Sequence, residues 1–277
     1  MSRLTFFVCN AVTSSDNLRD HEDLRMTSLL SAPDLRQVAV LLDVDGTIVD
    51  FAPTPREVFV SGTLRRTLQC LLERTGGALA LVSGRPLKEL DLLFAPLLLP
   101  AVGGHGVEIR SAATGPVDRI AAKPLGDELR RRLATIAAWG PGIILEDKDY
   151  SLAIHYRLAP EKEQTIRDAV LAICEEWAPA SVEVLPGKFV FEIKSTGFDK
   201  GTAVRQLMTR PPFKARRPIF IGDDTTDEAA FAVIPEFDGM GIAVGRKIPG
   251  TAACFETPAE VRTWLARISQ VEEAAAP

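Results

Sequence analysis

The feature that most constrains this chain is a series of short apolar runs, each ending in a loop rich in Asp, Ser or Gly. Val38 to Leu42 is apolar throughout and ends at Asp43. Ala78 to Val82 ends at Ser83, and Pro218 to Ile221 leads into Gly222, Asp223 and Asp224. Gly239 to Val244 reads as a further strand. Apolar runs without alternation are what parallel strands buried on both faces require. Helical signals lie between them. Leu64 to Arg74 has helical spacing, and Pro86 suits a first helical position. Thr225 with Glu228, and Thr257 with Glu260, match capping boxes. Strands alternating with helices predict a doubly wound α/β sheet, in which ligands bind at the carboxyl ends of the strands. The polar loops would all sit at that edge.

The middle of the chain has a different period. Ser151 to Arg157 alternates, with Leu152, Ile154 and Tyr156 opposite Ser151, Ala153, His155 and Arg157. Lys188 to Lys194 alternates likewise, with Phe189, Phe191 and Ile193 opposite Lys188, Val190, Glu192 and Lys194. Period two marks a sheet with one packed face. Glu161 to Trp177 between them reads as an amphipathic helix. Residues 111 to 195 are therefore expected to form a small α+β unit inserted into an α/β core made of 30 to 110 and 196 to 277. Residues 1 to 29 read as a disordered leader. Its apolar stretch, Leu4 to Val12, is interrupted by Asn10, and no small-residue cleavage site follows, unlike a secretory signal.

Composition narrows the function classes. A net charge of -5 argues against a nucleic-acid partner, which selects basic surfaces. Cys9, Cys70, Cys174 and Cys254 are far apart and form no CxxC pair, so zinc or a disulfide framework is not expected, and a reducing cytoplasm fits. No apolar run approaches the roughly 18 residues that span a bilayer.

The chemistry-bearing residues follow the strands. In Asp43-Val44-Asp45-Gly46-Thr47, two carboxylates one residue apart can converge where the strand ends, and Gly46 permits the turn. One could attack phosphorus while the other shuttles a proton, with a hard cation to offset the charge. The same pattern also occurs in calcium loops and ordinary turns. Gly222-Asp223-Asp224-Thr225-Thr226-Asp227 opens a capped helix after another strand. Asp223 is placed to complete an oxygen-rich magnesium site, with Asp224 and Asp227 around it; Asp227 could instead complement a helix dipole. Ser83-Gly84-Arg85 suits a phosphate or a plain N-cap. Lys200, at a helix start, could bridge nucleophile and phosphate or simply face water.

Taken in order, DxDGT, SGR, a lysine and GDDxTD resemble the four motifs of the haloacid-dehalogenase superfamily of phosphatases. Gly104-His105-Gly106-Val107-Glu108, Leu145-Glu146-Asp147-Lys148, Ser151 to Arg157, Gly187-Lys188 with Glu192, and Gly222 to Glu228 look like trehalose-6-phosphate phosphatases. Asp149 departs from a common Gly, and Ser195 from a common Pro. The resemblance implies a Rossmann-like core with an inserted C2-type cap, and hydrolysis of trehalose 6-phosphate. Asp43 would be nucleophile and Asp45 general acid/base, with Ser83 and Lys200 on the phosphoryl group. Asp43, the Asp45 carbonyl and Asp223 would hold Mg2+. Thr47, Gly84, Arg85 and His105 would line the substrate from the core, and Glu146, Lys148, His155, Arg157, Lys188 and Glu192 from the cap. A trehalose-6-phosphate synthase would be a functional partner.

The cap assignment has a physical reason. A disaccharide offers many hydroxyls, and charged side chains bond them strongly while leaving wrong sugars with unpaired groups. Strand alternation alone would equally put these residues in solvent. The rival readings are another sugar phosphatase of the same superfamily, acting on sucrose or glucosylglycerol phosphate, a phosphomutase, and a non-catalytic sugar-phosphate sensor. Intact Asp43, Asp45, Lys200 and Asp223 argue against the sensor, which has no need of a nucleophile.

Overall fold

The computed structural model describes residues 33–52, 57–120, 122–148 and 150–270. The leader expected over residues 1 to 29, Cys9 and Asp149 lie outside them. Two sheets organise the chain. The larger one has eight strands in the order β12-β11-β10-β1-β2-β3-β4-β5. At its centre, β1 (Val38–Leu42) is wholly buried and pairs in parallel with β2 (Leu79–Val82) and β10 (Arg217–Gly222). Parallel pairing extends to β3 (Ala101–Gly103) on one side and to β11 (Met240–Val244) and β12 (Ala253–Phe255) on the other. Antiparallel β4 (Glu108–Arg110) and β5 (Asp118–Arg119) finish the sheet.

Helices cover both faces, which is why the central strands are continuously apolar. On one face α1 (Gly62–Arg74) buries Leu64, Leu68 and Leu71, an i, i+4, i+7 stripe, and Ser61 caps it by accepting from the Leu64 N–H. With α2 (Leu87–Phe94) and, at the chain's end, a further helix over Pro258–Gln270, it encloses one hydrophobic cluster. The other face carries α5 (Lys200–Met208) and α6 (Glu228–Val233).

The second sheet has the order β6-β7-β9-β8, antiparallel throughout. It comprises β6 (Ile144–Asp147), β7 (Ser151–His155), β8 (Val182–Gly187) and β9 (Val190–Ser195). Leu152, Ile154, Phe191 and Ile193 pack with α3 (Asp127–Ala137) and α4 (Glu163–Trp177) into a separate core. The open face of this sheet looks toward the carboxyl edge of the large one. The two connecting segments are tied together: the Ser195 hydroxyl donates to the Lys123 carbonyl at 2.7 Å. The fold is thus a Rossmann-like α/β core with an inserted α+β unit, as expected.

Three local expectations change. Pro86 is the N-cap of α2 rather than its first residue. The capping box before α6 is formed by Asp224 and Asp227, one residue earlier than Thr225 and Glu228, because the Asp224 side chain accepts from the Asp227 N–H and Asp227 Oδ2 accepts from the Asp224 N–H at 3.1 Å. Lys188 is not on a strand with Glu192. It occupies the two-residue turn between β8 and β9, where Phe189 adopts a left-handed φ of 64°.

Candidate active site

At the end of β1 the Asp43 N–H still bonds the Ile221 carbonyl at 2.9 Å, so the sheet itself fixes the residue. The chain then turns at Gly46, whose φ is +85°, and a Cβ there would lie 2.3 Å from Asp223 Oδ2. Glycine is therefore required both by conformation and by the approach of Asp223. Lys200, the first residue of α5, is only 3% exposed, and its Nζ donates to Asp43 Oδ1 and to Asp227 Oδ1, both at 2.7 Å. Asp199 anchors that helix start by accepting from the Thr202 N–H at 2.6 Å. Asp227, fully buried, also accepts from the Asp223 and Asp224 N–H groups at 3.0 and 3.1 Å. The Thr47 hydroxyl sits between Asp43 Oδ2 at 3.0 Å and Asp223 Oδ1 at 3.1 Å.

One carboxylate oxygen from each of Asp43, Asp223 and Asp227 falls within 4.8 Å of the others. Burial, followed by repulsion from Asp227, pushes the Asp43 carboxyl up to about 7 against the pull of Lys200. Burial and then Asp43 push Asp223 up to about 8. For Lys200 burial acts downward, but Asp227 and Asp43 outweigh it and the ammonium is held more tightly than usual. Asp227 is spent on Lys200 and two backbone N–H groups, which leaves Asp43 and Asp223 as an oxygen pair with surplus negative charge that fits a hard divalent cation. Asp224 faces away from this set. Its Oδ1 caps the next turn at 2.7 Å from the Thr225 N–H, and its Oδ2 borders Gly187 of β8.

Asp45 is held differently. Arg85 donates from Nε to its Oδ2 at 2.7 Å and from Nη2 to its Oδ1 at 2.8 Å. Ser83, buried at the end of β2, accepts from the Arg85 N–H at 3.1 Å. Gly84 has no room for a side chain, because a Cβ would stand 2.4 Å from His105 Nε2. His105 itself occupies a left-handed backbone with φ 55° between Gly104 and Gly106.

From the other side comes a chain of charges. Glu146 on β6 meets His155 on β7 at 2.8 Å. Lys148 stands 3.7 Å from Glu146 and 3.4 Å from Glu192. Glu192, on β9 and 8% exposed, accepts from the Ser151 hydroxyl at 2.5 Å and lies 3.0 Å from His105 Nε2, close but not aligned as a hydrogen bond. Burial acts to raise the Glu192 carboxyl, yet His105 and then Lys148 hold it well below the usual range. Every site residue expected from sequence lines one cavity except Thr47 and Asp227, which are fully buried behind it. The cavity bounds about 1020 Å3 of empty space, part of it open to solvent.

A charged sheet face opposite an acidic corner has known counterparts. The trehalose-phosphatase family model matches residues 41–255. The chain belongs to the trehalose-phosphatase family. It is 39% identical over 229 residues to a probable trehalose-phosphate phosphatase of Sinorhizobium fredii, covering 81% of this chain and 84% of that one. It is 35% identical over 248 residues to the trehalose-6-phosphate phosphatase of Escherichia coli, covering 90% and 91%. The solved C-terminal domain of the Candida albicans trehalose-6-phosphate phosphatase shares the fold, with a TM-score of 0.77 at 20% identity, over 87% of this chain and 96% of that one.

Sequence reasoning missed part of the cavity's lining. Phe51, eight residues after Asp43, lines the cavity, as do Leu185 and Pro186 of β8. A lone aromatic in a loop has no period to betray it, and β8 was not expected as a strand because it ends in Pro and Gly. Chemically, the core end can hold a phosphate dianion against Lys200 and a cation, while the cap end offers charged hydrogen-bond partners to hydroxyls.

Proposed function

We propose that the enzyme hydrolyses trehalose 6-phosphate to trehalose and phosphate through an aspartyl phosphate on Asp43. One observation carries this reading. Asp43 with Lys200, and Glu146, Lys148 and Glu192, border the same cavity from opposite sheets, so a phosphate at one end places its sugars at the other. The catalytic core is expected from sequence over 30 to 110 and 196 to 277 and the cap over 111 to 195; because β5 (Asp118–Arg119) pairs on the core sheet, the cap is assigned to begin after it.

An Asp43 oxygen attacks phosphorus, and the bond from phosphorus to the sugar oxygen breaks. Asp45 gives its proton to the departing oxygen. Asp45 then takes a proton from water, whose oxygen attacks the same phosphorus and releases phosphate and the Asp43 carboxylate. Lys200 offsets charge on the transferring oxygens, and the buried Ser83 hydroxyl orients them. Mg2+, held by Asp43, Asp223 and the Asp45 carbonyl, would supply the positive charge that lets an anionic phosphate approach carboxylates. Asp227 keeps Lys200 and the Asp223 backbone in place. Glu146, Lys148 and Glu192 read sugar hydroxyls, with His155 orienting Glu146.

We place the enzyme in a reducing cytoplasm, on the wide spacing of its cysteines, where a trehalose-6-phosphate synthase would supply substrate. Among the described residues no helix is long and apolar enough to cross a membrane. The reading is tested by phosphate release from trehalose 6-phosphate, sucrose 6-phosphate, glucosylglycerol phosphate and glucose 6-phosphate. Trehalose 6-phosphate should exceed each of the others in kcat/KM by at least about tenfold, the factor one unmade charged hydrogen bond commands. Equal rates on all four would remove the cap from the account.

A further inference from the structure

Phe51 is a large apolar residue left 40% exposed at the mouth of the cavity, and neither the core clusters nor the chemistry above uses it. Its ring touches the catalytic turn on one side. A Cβ built on Gly46 would lie 2.5 Å from Phe51 Cζ and 2.6 Å from Cε2, so the ring packs directly on the backbone beside Asp45. The other contacts come from the cap. Lys188 Nζ stands 5.0 Å from the ring centroid and the Arg157 guanidinium carbon 5.3 Å. These two cations belong to different elements, the segment after β7 and the β8–β9 turn.

Arg157 also lies 5.2 Å from the Phe189 ring and donates to the Lys188 carbonyl at 3.3 Å, so it knits the turn to β7. Among the described residues neither cation is paired with a carboxylate. A cation over an aromatic face gains more as the site loses water, and this contact exists only while the two sheets face each other. It therefore favours the arrangement with the cap over the core, called closed below, over any in which the two sheets part.

We propose that Phe51 is a positioning residue: its ring registers the closed cap, through Arg157 and Lys188, directly above the turn that carries Asp43 and Asp45. The inference rests on the proposed function for its catalytic consequence, though not for the closure itself. A substrate whose leaving group must be gripped by the cap depends on that registration. A small aryl phosphate reacts at the core end without it.

The test compares the full-length wild type with Phe51→Leu, which keeps apolar bulk without a π face, and Phe51→Tyr, which keeps the face. Phe51→Leu should lower kcat/KM for trehalose 6-phosphate about 5- to 10-fold, the scale of such contacts, and Phe51→Tyr should restore it to within about twofold of wild type. Both should hydrolyse p-nitrophenyl phosphate within about twofold of wild type, because that ester does not need the cap. Small-angle scattering of the ligand-free proteins should show Phe51→Leu more extended than wild type, and Phe51→Tyr unchanged. Unchanged scattering of Phe51→Leu overturns the inference, with or without a loss of activity. Equal losses on both esters overturn it too, since they would make the ring a support of the catalytic turn. If the wild type fails to hydrolyse trehalose 6-phosphate, the functional reading falls, while the scattering still decides the role of Phe51.

Discussion

Arg85 holds the Asp45 carboxylate by two near-parallel hydrogen bonds of 2.7 and 2.8 Å. Such a fork fixes the plane of the carboxylate as well as its position, which an ammonium cannot do. Each oxygen spends one lone pair on Arg85 and keeps another for the proton that passes to a leaving group. Arg85→Lys keeps the charge and loses the fork. It is expected to lower kcat about tenfold, the size of roughly one charge-assisted hydrogen bond, with a smaller change in KM. Steady-state kinetics on trehalose 6-phosphate checks this, and an unchanged kcat would mean that Asp45 needs no such guide.

Asp43→Asn should abolish turnover and preserve the fold, because the amide is nearly isosteric but a poor nucleophile. The environment adds a second expectation. Asp43 is crowded by Asp227 and Asp45 in a buried setting, so removing its charge relieves repulsion. The metal-free variant should melt at the same temperature as metal-free wild type or higher. Phosphate release and thermal melts together check this. A large fall in melting temperature would show that the Lys200–Asp43 pair, at 2.7 Å, outweighs the repulsion.

Metal and pH are linked through the same cluster. Asp43 and Asp223 titrate near 7 and 8 in the folded chain against an ordinary value of 3.8. The metal-free folded protein thus holds protons that the unfolded chain releases. The contribution of these two carboxyls to stability is fullest below the unfolded value and declines as pH rises from about 4 to about 8. A divalent cation competes with those protons and removes the penalty. Chelation should therefore abolish activity. Added Mg2+ should raise the melting temperature more at about pH 8 than at about pH 6. Full activity after exhaustive metal removal would contradict the site.

Glu192→Ala should lower kcat/KM for trehalose 6-phosphate by at least about tenfold, from a contact worth roughly 1.5–3 kcal/mol. Hydrolysis of p-nitrophenyl phosphate should change much less. Glu192 also anchors Ser151 and lies against Lys148 and His105, so its loss disturbs the reader from both sheets. Equal losses on the two esters would assign Glu192 to the core or the fold.

The parts of the molecule legible in sequence were those with a local signature. β1 and β10 are apolar because helices cover both faces, and that alone marks their ends as the active edge. Asp43, Asp223 and Lys200 sit where a strand ends or a helix begins, which made them candidates, and the family resemblance of the ordered motifs singled them out. Lys188 shows where such reasoning runs out. Alternation continued smoothly through Phe189, yet the chain turns there with a left-handed residue that is neither Gly nor Asn. Tertiary pairing of β8 with β9 overrides the local pattern. The Arg85–Asp45 fork and the Phe51 contacts join residues from separate loops, and no period or motif encodes them.

The central claim is that turnover passes through Asp43. It is tested most directly by acid-quenching the Mg2+-loaded enzyme during hydrolysis of trehalose 6-phosphate and mapping the peptides by mass. The account predicts one phosphoryl group on the peptide containing Asp43, appearing as fast as or faster than phosphate is released, and absent from Asp43→Asn. Normal phosphate release with no phosphoryl group on that peptide, or with one on a different residue, would contradict it.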